Sequence, residues 1–228
     1  MKRDDYVAAE QSNLAFPLSQ TQSRHIGLAA KRSVDVSIAL ITLFLLLPLM
    51  AVLLVAVWAQ DGKSPIFRHR RIGLGGRTFD CLKIRSMMSN GDALLQEHLA
   101  QSRSARAEWD ATHKLTNDPR ITPLGHILRK TSLDELPQLI NVLKGEMSLV
   151  GPRPIVQAEV ARYGAAFQTC FSVTPGVTGL WQVSGRSNCS YAERVEMDLA
   201  YALDWSFSRD LSILVRTVPA VLAQRGSR

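Results

Sequence analysis

The sequence predicts a mainly α-helical protein with a small β-hairpin and an N-terminal membrane helix, either re-entrant or a single span. Three observations support this fold class. An uncharged apolar run covers residues 38–59. Alternating residues flank the glycines of 73–76, as expected for two strands joined by a turn. Longer stretches beginning near residues 91, 155 and 191 combine mixed charge with partly apolar faces, which is typical of amphipathic helices.

Composition restricts the class of protein before any motif is considered. The 228 residues suffice for one domain, or for one domain and an anchor. A formal charge of +7 indicates an anionic partner, which can be nucleic acid, acidic lipid or a phosphorylated substrate. The three cysteines form no C-x-x-C and the five histidines no H-E-x-x-H, so neither a disulfide framework nor a zinc site is indicated.

The charge and hydropathy pattern divides the chain into three parts. Residues 1–30 are polar and without periodicity, and they predict a flexible tail. Residues 31–62 contain the apolar run, and residues 63–228 form the remaining domain. As a straight helix, the run would measure roughly 33 Å, enough to cross a hydrocarbon core of about 30 Å.

Pro48 stands near the middle of the apolar run and leaves its topology open. Proline removes one helical hydrogen bond, so the run is either a kinked span or a re-entrant hairpin with two arms of roughly 15 Å. Basic residues on both sides, among them Lys31, Arg32 and Lys63, give the positive-inside rule no direction. Asp35 suits a structural role, either as a first-turn acid or as a partner of Lys31 or Arg32.

The later elements follow from local patterns. Residues 91–112 predict a helix, and residues 174–190, rich in glycine and hydroxyl groups, indicate an ordered binding loop. Residues 191–222 predict amphipathic helix with an interruption near 206–210. Apolar faces edged by Arg or Lys fit interfacial helices on a membrane as well as core faces with a solvated rim.

The pair Asp134–Glu135 has two interpretations. Ser132 and Glu135 have the spacing of a capping box, and a helix beginning at Pro137 would also place ordinary acids at its start. The alternative interpretation is chemical, because the sequence also offers four cations that two carboxylates do not neutralise. These are Lys83, Arg85, Arg129 and Arg153.

If those cations converge on the acid pair, a phosphate or diphosphate would complete the charge balance. Phosphoryl transfer uses positioned cations, commonly with Mg²⁺ held by a carboxylate. Asp134 can attack phosphorus directly, and Glu135 can hold the metal or manage a proton. On this interpretation both carboxylates have catalytic roles, and both would also be the metal ligands.

An ordered set of motifs resembles one known family. The segments are KRSVDV, the apolar run with its central proline, RHRRIG, LKIRSM, LRKTSLDELPQLINVLKGEMSLVGPRP and PGVTGLWQVSGR. Together they resemble the bacterial sugar transferases called monotopic phosphoglycosyl transferases, over about residues 30–222. The combination of DELPQL with GPRP at this spacing is the most specific part.

The resemblance implies a reaction and a set of partners. Sugar-1-phosphate would pass from a UDP-sugar to a membrane polyprenyl (undecaprenyl) phosphate with release of UMP, using Mg²⁺ and a covalent intermediate on Asp134. Glu135 would be the acidic partner, and the four cations would handle phosphate. Gln182, Gly185 and Arg186 would lie near the nucleotide end of the donor.

The family likeness also bears on location and substrate. It favours the re-entrant topology, with the catalytic domain on the cytoplasmic face of the bacterial inner membrane. Many members have Ser-Pro at the bend, whereas this chain has Leu47-Pro48. The short chain is most similar to members that initiate exopolysaccharide assembly, for which galactose-1-phosphate is the expected group. Neither the oligomeric state nor the polyprenol length follows from the sequence.

Two other functions compete with this one. A non-catalytic, membrane-anchored basic protein binding acidic lipid or nucleic acid would need the cations but not the acid pair. No aromatic-basic RNA motif is present, so we do not expect nucleic acid as a partner. An enzyme with a soluble phosphate acceptor would use the anchor only as a tether.

Overall fold

The computed structural model describes residues 18–112, 115–184 and 189–222, which form helices around two small sheets. The strands are β1 (Ile66–Ile72), β2 (Thr78–Ile84), β3 (Ser148–Val150) and β4 (Gly176–Thr178). The helices are α1 (Leu18–Trp58), α2 (Gly91–Gln101), α3 (Arg103–Thr112), α4 (Pro123–Thr131), α5 (Gln138–Lys144), α6 (Val160–Tyr163), α7 (Phe167–Cys170), α8 (Leu180–Ser184), α9 (Tyr191–Leu203) and α10 (Phe207–Leu222). The predicted predominance of helix with a small sheet is confirmed.

Helix α1 is longer and more continuous than the sequence suggests. It begins at Leu18, so the flexible tail predicted for residues 1–30 does not hold for residues 18–30; residues 1–17 lie outside the described residues. Each residue added to an existing helix brings a hydrogen bond, which allows the polar segment to extend the apolar one. The predicted break at Pro48 is not present in α1, because proline removes one donor while the neighbouring turns keep theirs.

The apolar part of α1 is packed at both ends and exposed between them. Ala39 and Val57 are buried, whereas the side chain of Phe44 is 78% exposed. Residues 27–58 are long and apolar enough to cross a bilayer, and only 11% of the most apolar window is buried inside the protein. An exposed apolar surface of this size is typical of a helix that inserts into a membrane or packs against a partner.

The N-terminal end of this apolar part is held on β3 by hydrogen bonds. The Asp35 carboxylate accepts from Ser148 Oγ at 2.7 Å and from the Leu149 amide at 3.1 Å. Lys31 Nζ donates to the Val150 carbonyl at 2.9 Å. Asp35 therefore has a structural role, but both predicted forms of it are wrong, because α1 begins at Leu18 and the partners of Asp35 belong to β3.

The predicted hairpin is confirmed. Strands β1 and β2 are antiparallel, with His69 opposite Cys81 and Phe67 opposite Lys83. The turn uses glycines in the left-handed region, where a side chain is disfavoured. Alternate residues of a strand share a face, so residues 67, 69 and 71 lie on the same side of the hairpin as residues 79, 81 and 83.

A second sheet, parallel and of two strands, was not predicted. Strands β3 and β4 pair in parallel, and a Cβ on Gly176 would lie 2.1 Å from the Gly151 nitrogen, so this close approach requires glycine. The binding loop predicted for residues 174–190 is therefore corrected, because β4 and α8 occupy part of it. The predicted interruption of the C-terminal helix is confirmed between α9 and α10.

Candidate active site

The acid pair lies on a single turn of 3₁₀ helix, Leu133–Glu135, between α4 and α5. Ser132 ends α4 in the left-handed conformation with φ 58°, and its side chain makes no capping hydrogen bond. The predicted capping box is therefore wrong, because Ser132 precedes the 3₁₀ turn but its hydroxyl makes no hydrogen bond to that turn. The alternative, a helix beginning at Pro137, is correct to within one residue, since Pro137 is the N-cap of α5.

Lys83, on β2, joins both carboxylates. Its Nζ lies 2.6 Å from Glu135 Oε1 and 3.8 Å from Asp134 Oδ2. Gln138, buried in the first turn of α5, also hydrogen-bonds Glu135. The predicted convergence of Lys83 with the acid pair is thus present, and one ammonium group serves two carboxylates.

A buried asparagine fixes the distance between β2 and the dyad. Asn141 of α5 donates from Nδ2 to the Asp80 carbonyl at 2.8 Å and accepts from the Leu82 amide at 3.0 Å. It occupies the outer edge of β2 as a neighbouring strand would. Because Lys83 is the next residue of that strand, this contact sets its position against α5.

The two carboxyl groups have different proton affinities. Burial raises the pKa of Asp134 to about 6, assisted by the charge of Glu135 and opposed by Lys83 and Arg129. Burial also raises the pKa of Glu135, but Lys83, Arg153 and its hydrogen bonds outweigh burial and hold that pKa below the usual value. Environments that separate two neighbouring carboxyls in this way are typical of sites that divide chemical roles between them.

A cleft adjoins the dyad and is rich in positive charge. Arg71, Lys83 and Arg153 line it together with Glu135, Gln138 and the backbone of β4. Arg153 belongs to the Gly-Pro-Arg-Pro turn after β3, and its guanidinium lies 5.9 Å from the centroid of the Trp181 ring. Guanidinium groups match phosphate oxygens in geometry and charge, so the cleft is suited to a phosphorylated ligand.

The other predicted site residues that the structure describes do not line the cleft beside the dyad, and each has its own surroundings. Arg85 forms a two-pronged pair with Asp61, at 2.6 and 2.7 Å, and this pair holds the C-terminal end of α1. Arg129 stands in the last turn of α4, where its charge reaches Asp134. Gln182 lies on α8 and donates to the Val177 carbonyl at 3.1 Å. Gly185 and Arg186 fall outside the described residues.

Sequence reasoning missed two residues of the cleft. Arg71 could have been found from the hairpin register, since it shares a face with Lys83 at alternate positions. Gln138 stands three residues after Glu135, within reach on a helical turn. Both residues flank the carboxylate pair on the side where the cleft opens.

Comparison with known proteins identifies the relatives of this chain. A family model described as bacterial sugar transferase matches residues 26–224. The exopolysaccharide production protein ExoY of Sinorhizobium fredii is 48% identical over 96% of this chain and 98% of its own length. A UDP-galactose-lipid carrier transferase of Erwinia amylovora is 49% identical over 92% of this chain and 44% of its own length. The undecaprenyl-phosphate galactose phosphotransferase of Salmonella typhimurium is 48% identical over 86% and 41%.

These matches agree with the carboxylate dyad and its cationic cleft. A family model that covers nearly the whole chain, and relatives near one-half identity, decide between the enzyme and the non-catalytic anchored protein. The chain belongs to the bacterial sugar transferase family and is a phosphoglycosyl transferase.

Proposed function

We propose that this enzyme transfers sugar-1-phosphate from a UDP-sugar to membrane polyprenyl (undecaprenyl) phosphate, releasing UMP, as the first step of exopolysaccharide repeat-unit assembly. The observation that carries the proposal is Lys83 bridging Asp134 and Glu135 beside a cleft that Arg71 and Arg153 line. This arrangement offers an oxygen nucleophile and cations for a diphosphate in one place.

The reaction divides into two displacements at one phosphorus atom. An Asp134 carboxylate oxygen attacks the sugar-bearing phosphorus, the bond to the bridging oxygen breaks, and its electron pair leaves with UMP. A polyprenyl phosphate oxygen then attacks the same phosphorus, and the acyl-phosphate bond breaks to restore the carboxylate. With a pKa of about 6, Asp134 is mostly ionised at pH 7, as a nucleophile must be.

Mg²⁺ fits the donor set as a cofactor. Mg²⁺ is usually held by one or two carboxylates together with substrate phosphates. The described residues contain no group of three or more His, Cys, Asp or Glu that could hold a metal ion, so substrate phosphates would have to complete its coordination. Asp134 and Glu135 would hold it, and it would supply positive charge to the transferring phosphate. In the enzyme without substrate, the Lys83 ammonium offsets the negative charge of the two carboxylates.

The experiment uses purified full-length protein with UDP-galactose, undecaprenyl phosphate and Mg²⁺, and measures UMP. Asp134→Asn should lower UMP release at least about 1,000-fold, since removing a nucleophile abolishes covalent catalysis. Asp204→Asn is the matched control, because that carboxylate is 76% exposed and its nearest cation is 3.9 Å away. Mass spectrometry of the unmutated enzyme given donor alone should show a phosphosugar adduct on Asp134; turnover by Asp134→Asn at the unmutated rate would overturn the proposal.

Galactose is the sugar that we propose. Relatives from Erwinia amylovora and Salmonella typhimurium carry galactose in their names, at 49% and 48% identity. A relative from Caulobacter vibrioides, named as a glucose-1-phosphate transferase, is only 38% identical. Initial rates with UDP-galactose, UDP-glucose and UDP-N-acetylglucosamine test this, and faster turnover of UDP-glucose would reject galactose.

We also propose a re-entrant topology on the cytoplasmic face of the inner membrane, in which α1 bends at Pro48 while remaining one continuous helix. Both ends of the apolar part of α1 contact the same folded domain: Asp35 binds β3, and Val57 packs on Ile84 and Leu128. A transmembrane helix would put its two ends on opposite sides of the bilayer. The exposed part between the docks, residues 40–55, would be about 24 Å long, which is short of the roughly 30 Å hydrocarbon core.

Cysteine labelling tests this topology in spheroplasts. Ala29→Cys and Gln60→Cys place thiols just outside the two docks, and both should resist a membrane-impermeant maleimide until the membrane is permeabilised. The chain without either change measures the background from its own cysteines. Labelling of one position in intact spheroplasts would show a single span.

A further inference from the structure

Arg71 carries a charge that its neighbours do not balance. Its side chain is only 14% exposed, and Nη1 lies 3.6 Å from Glu159 Oε2, longer than a hydrogen bond. Glu159 is shared, because its other oxygen lies 3.6 Å from Arg194 Nη1, and Arg194 has in addition only the more distant Asp198, at 3.9 Å, among the described carboxylates. A buried guanidinium that shares one carboxylate with another arginine is incompletely neutralised, and it therefore favours a further anion beside it.

The remaining contacts of Arg71 are with neutral groups. Its Nη1 donates to the Pro154 carbonyl at 3.4 Å, and its Nη2 lies 3.2 Å from His69 Nδ1. Burial and the adjacent cations lower the pKa of His69 to about 4, so the ring is neutral and accepts this hydrogen bond. These contacts orient the guanidinium towards the cleft without compensating its charge.

The charge of Arg153, like that of Arg71, is not neutralised by a close carboxylate in the described part of the chain. Both arginines line the cleft, and they are close enough for Arg153 to lower the pKa of Arg71. Among the described residues, no carboxylate lies within 4.0 Å of the Arg153 guanidinium, which is placed over the Trp181 ring instead. Lys83, in contrast, is engaged by both carboxylates of the dyad.

We propose that Arg71 and Arg153 form a binding site for the leaving phosphate, that of UMP, distinct from the reacting phosphate beside Asp134 and Lys83. The inference rests on the proposed function. When the Asp134 oxygen bonds to the sugar-bearing phosphorus, the bridging oxygen takes the electron pair and becomes a terminal oxygen of UMP. The uridine-bearing phosphate gains one negative charge in that step, and the two guanidinium groups stabilise this added charge.

The experiment measures the affinity of the full-length protein in detergent for two probes, UMP and uridine, by calorimetry. Arg71→Gln removes a charge-assisted contact and should weaken UMP binding about 10- to 100-fold. Uridine, which lacks the phosphate, should bind with unchanged affinity. Arg71→Lys keeps the charge and loses the fork, so its UMP affinity should lie between those of Arg71→Gln and the unmutated protein.

Arg70→Gln is the matched control. Arg70 is the preceding residue of β1 on the opposite face, 72% exposed and 3.4 Å from Asp80, so its loss should leave UMP affinity unchanged. Unaltered UMP affinity of Arg71→Gln, or an equal loss for UMP and uridine, would overturn the inference. If Arg71→Gln does not fold, as judged by thermal unfolding, Arg71→Lys decides the question by the same comparison.

The outcome is separable from that of the proposed function. Asp134→Asn should stop turnover while leaving UMP affinity within about threefold, because Asp134 acts on the other phosphate. A fully active Asp134→Asn would reject the proposed nucleophile whatever Arg71 does. An Arg71→Gln variant with intact UMP affinity, beside an inactive Asp134→Asn, would reject only the leaving-phosphate site.

Discussion

Replacing Asn141 by leucine should destabilise the protein severely. The side chain of Asn141 is fully buried and hydrogen-bonds the Asp80 carbonyl at 2.8 Å, the Leu82 amide at 3.0 Å and Glu146 Oε2 at 2.6 Å. Leucine has a similar volume but satisfies none of these groups. Two backbone groups of β2 would remain buried without partners, at about 1–3 kcal/mol each, so the expected loss is about 2–6 kcal/mol. Glu146 is only half-buried and can turn to water.

Thermal unfolding of the detergent-solubilised protein measures the effect. For a chain of this size, each kcal/mol shifts Tm by about 2–4 °C, so Asn141→Leu should lower Tm by at least about 4 °C. Asn90→Leu makes the same chemical change at an exposed position whose side chain makes no capping hydrogen bond, and it should shift Tm by less than about 2 °C. Equal Tm values for Asn141→Leu and the unmutated protein would refute the claim that Asn141 satisfies the edge of β2.

Three further predictions concern a close contact and two carboxyl groups. Gly125→Ala would place a methyl group 1.9 Å from the Ser86 carbonyl oxygen and should cost at least about 3 kcal/mol, whereas Gly91→Ala, 3.5 Å from its nearest neighbour, should keep Tm. Because burial raises the pKa of Asp198 to about 6, the free energy of unfolding should increase as pH falls from about 6 to 4, by up to about 2 kcal/mol. Thermal unfolding of Asp198→Asn at pH 7 and pH 5 should lack that increase. The hydrogen bonds from Arg85 lower the pKa of the Asp61 carboxyl to about 2. The ionised Asp61 therefore adds to the free energy of unfolding above about pH 4, and this contribution is lost as pH falls towards 2. Acid-unfolding curves of Asp61→Asn should lack that component.

Local pattern was enough to locate the hairpin and the dyad. Alternation around the glycines of 73–76 predicts both strands because period two is a property of neighbouring residues. Asp134, Glu135 and Lys83 were recognisable because an ordered set of motifs fixes them, and the structure places the Lys83 ammonium within 3.8 Å of both carboxylates. The break between α9 and α10 likewise follows from a short polar interruption.

Features that depend on distant partners could not be read in the same way. The sequence predicts a phosphate contact for Arg85, but it does not show that Arg85 pairs with Asp61, 24 residues earlier. Ser132 has the spacing of a capping box, but it ends α4 in the left-handed conformation and its hydroxyl makes no capping hydrogen bond. The parallel pairing of β3 with β4 joins segments of three residues each, too short for a periodic signal.

The proposed topology, together with the two docks of α1, predicts where the cleft lies relative to the membrane. At one dock, Arg85 holds the end of α1 only two residues beyond Lys83, and two residues of strand cover roughly 7 Å. At the other, Lys31 binds the Val150 carbonyl, three residues before Arg153, a separation of at most about 10 Å. Lys83 and Arg153 therefore lie close along the chain to the residues that dock the apolar helix. In the topology that we propose, a lipid acceptor would present its phosphate at the headgroup plane, and a cleft within about 10 Å of the helix docks would lie where that phosphate and a water-soluble donor can both arrive.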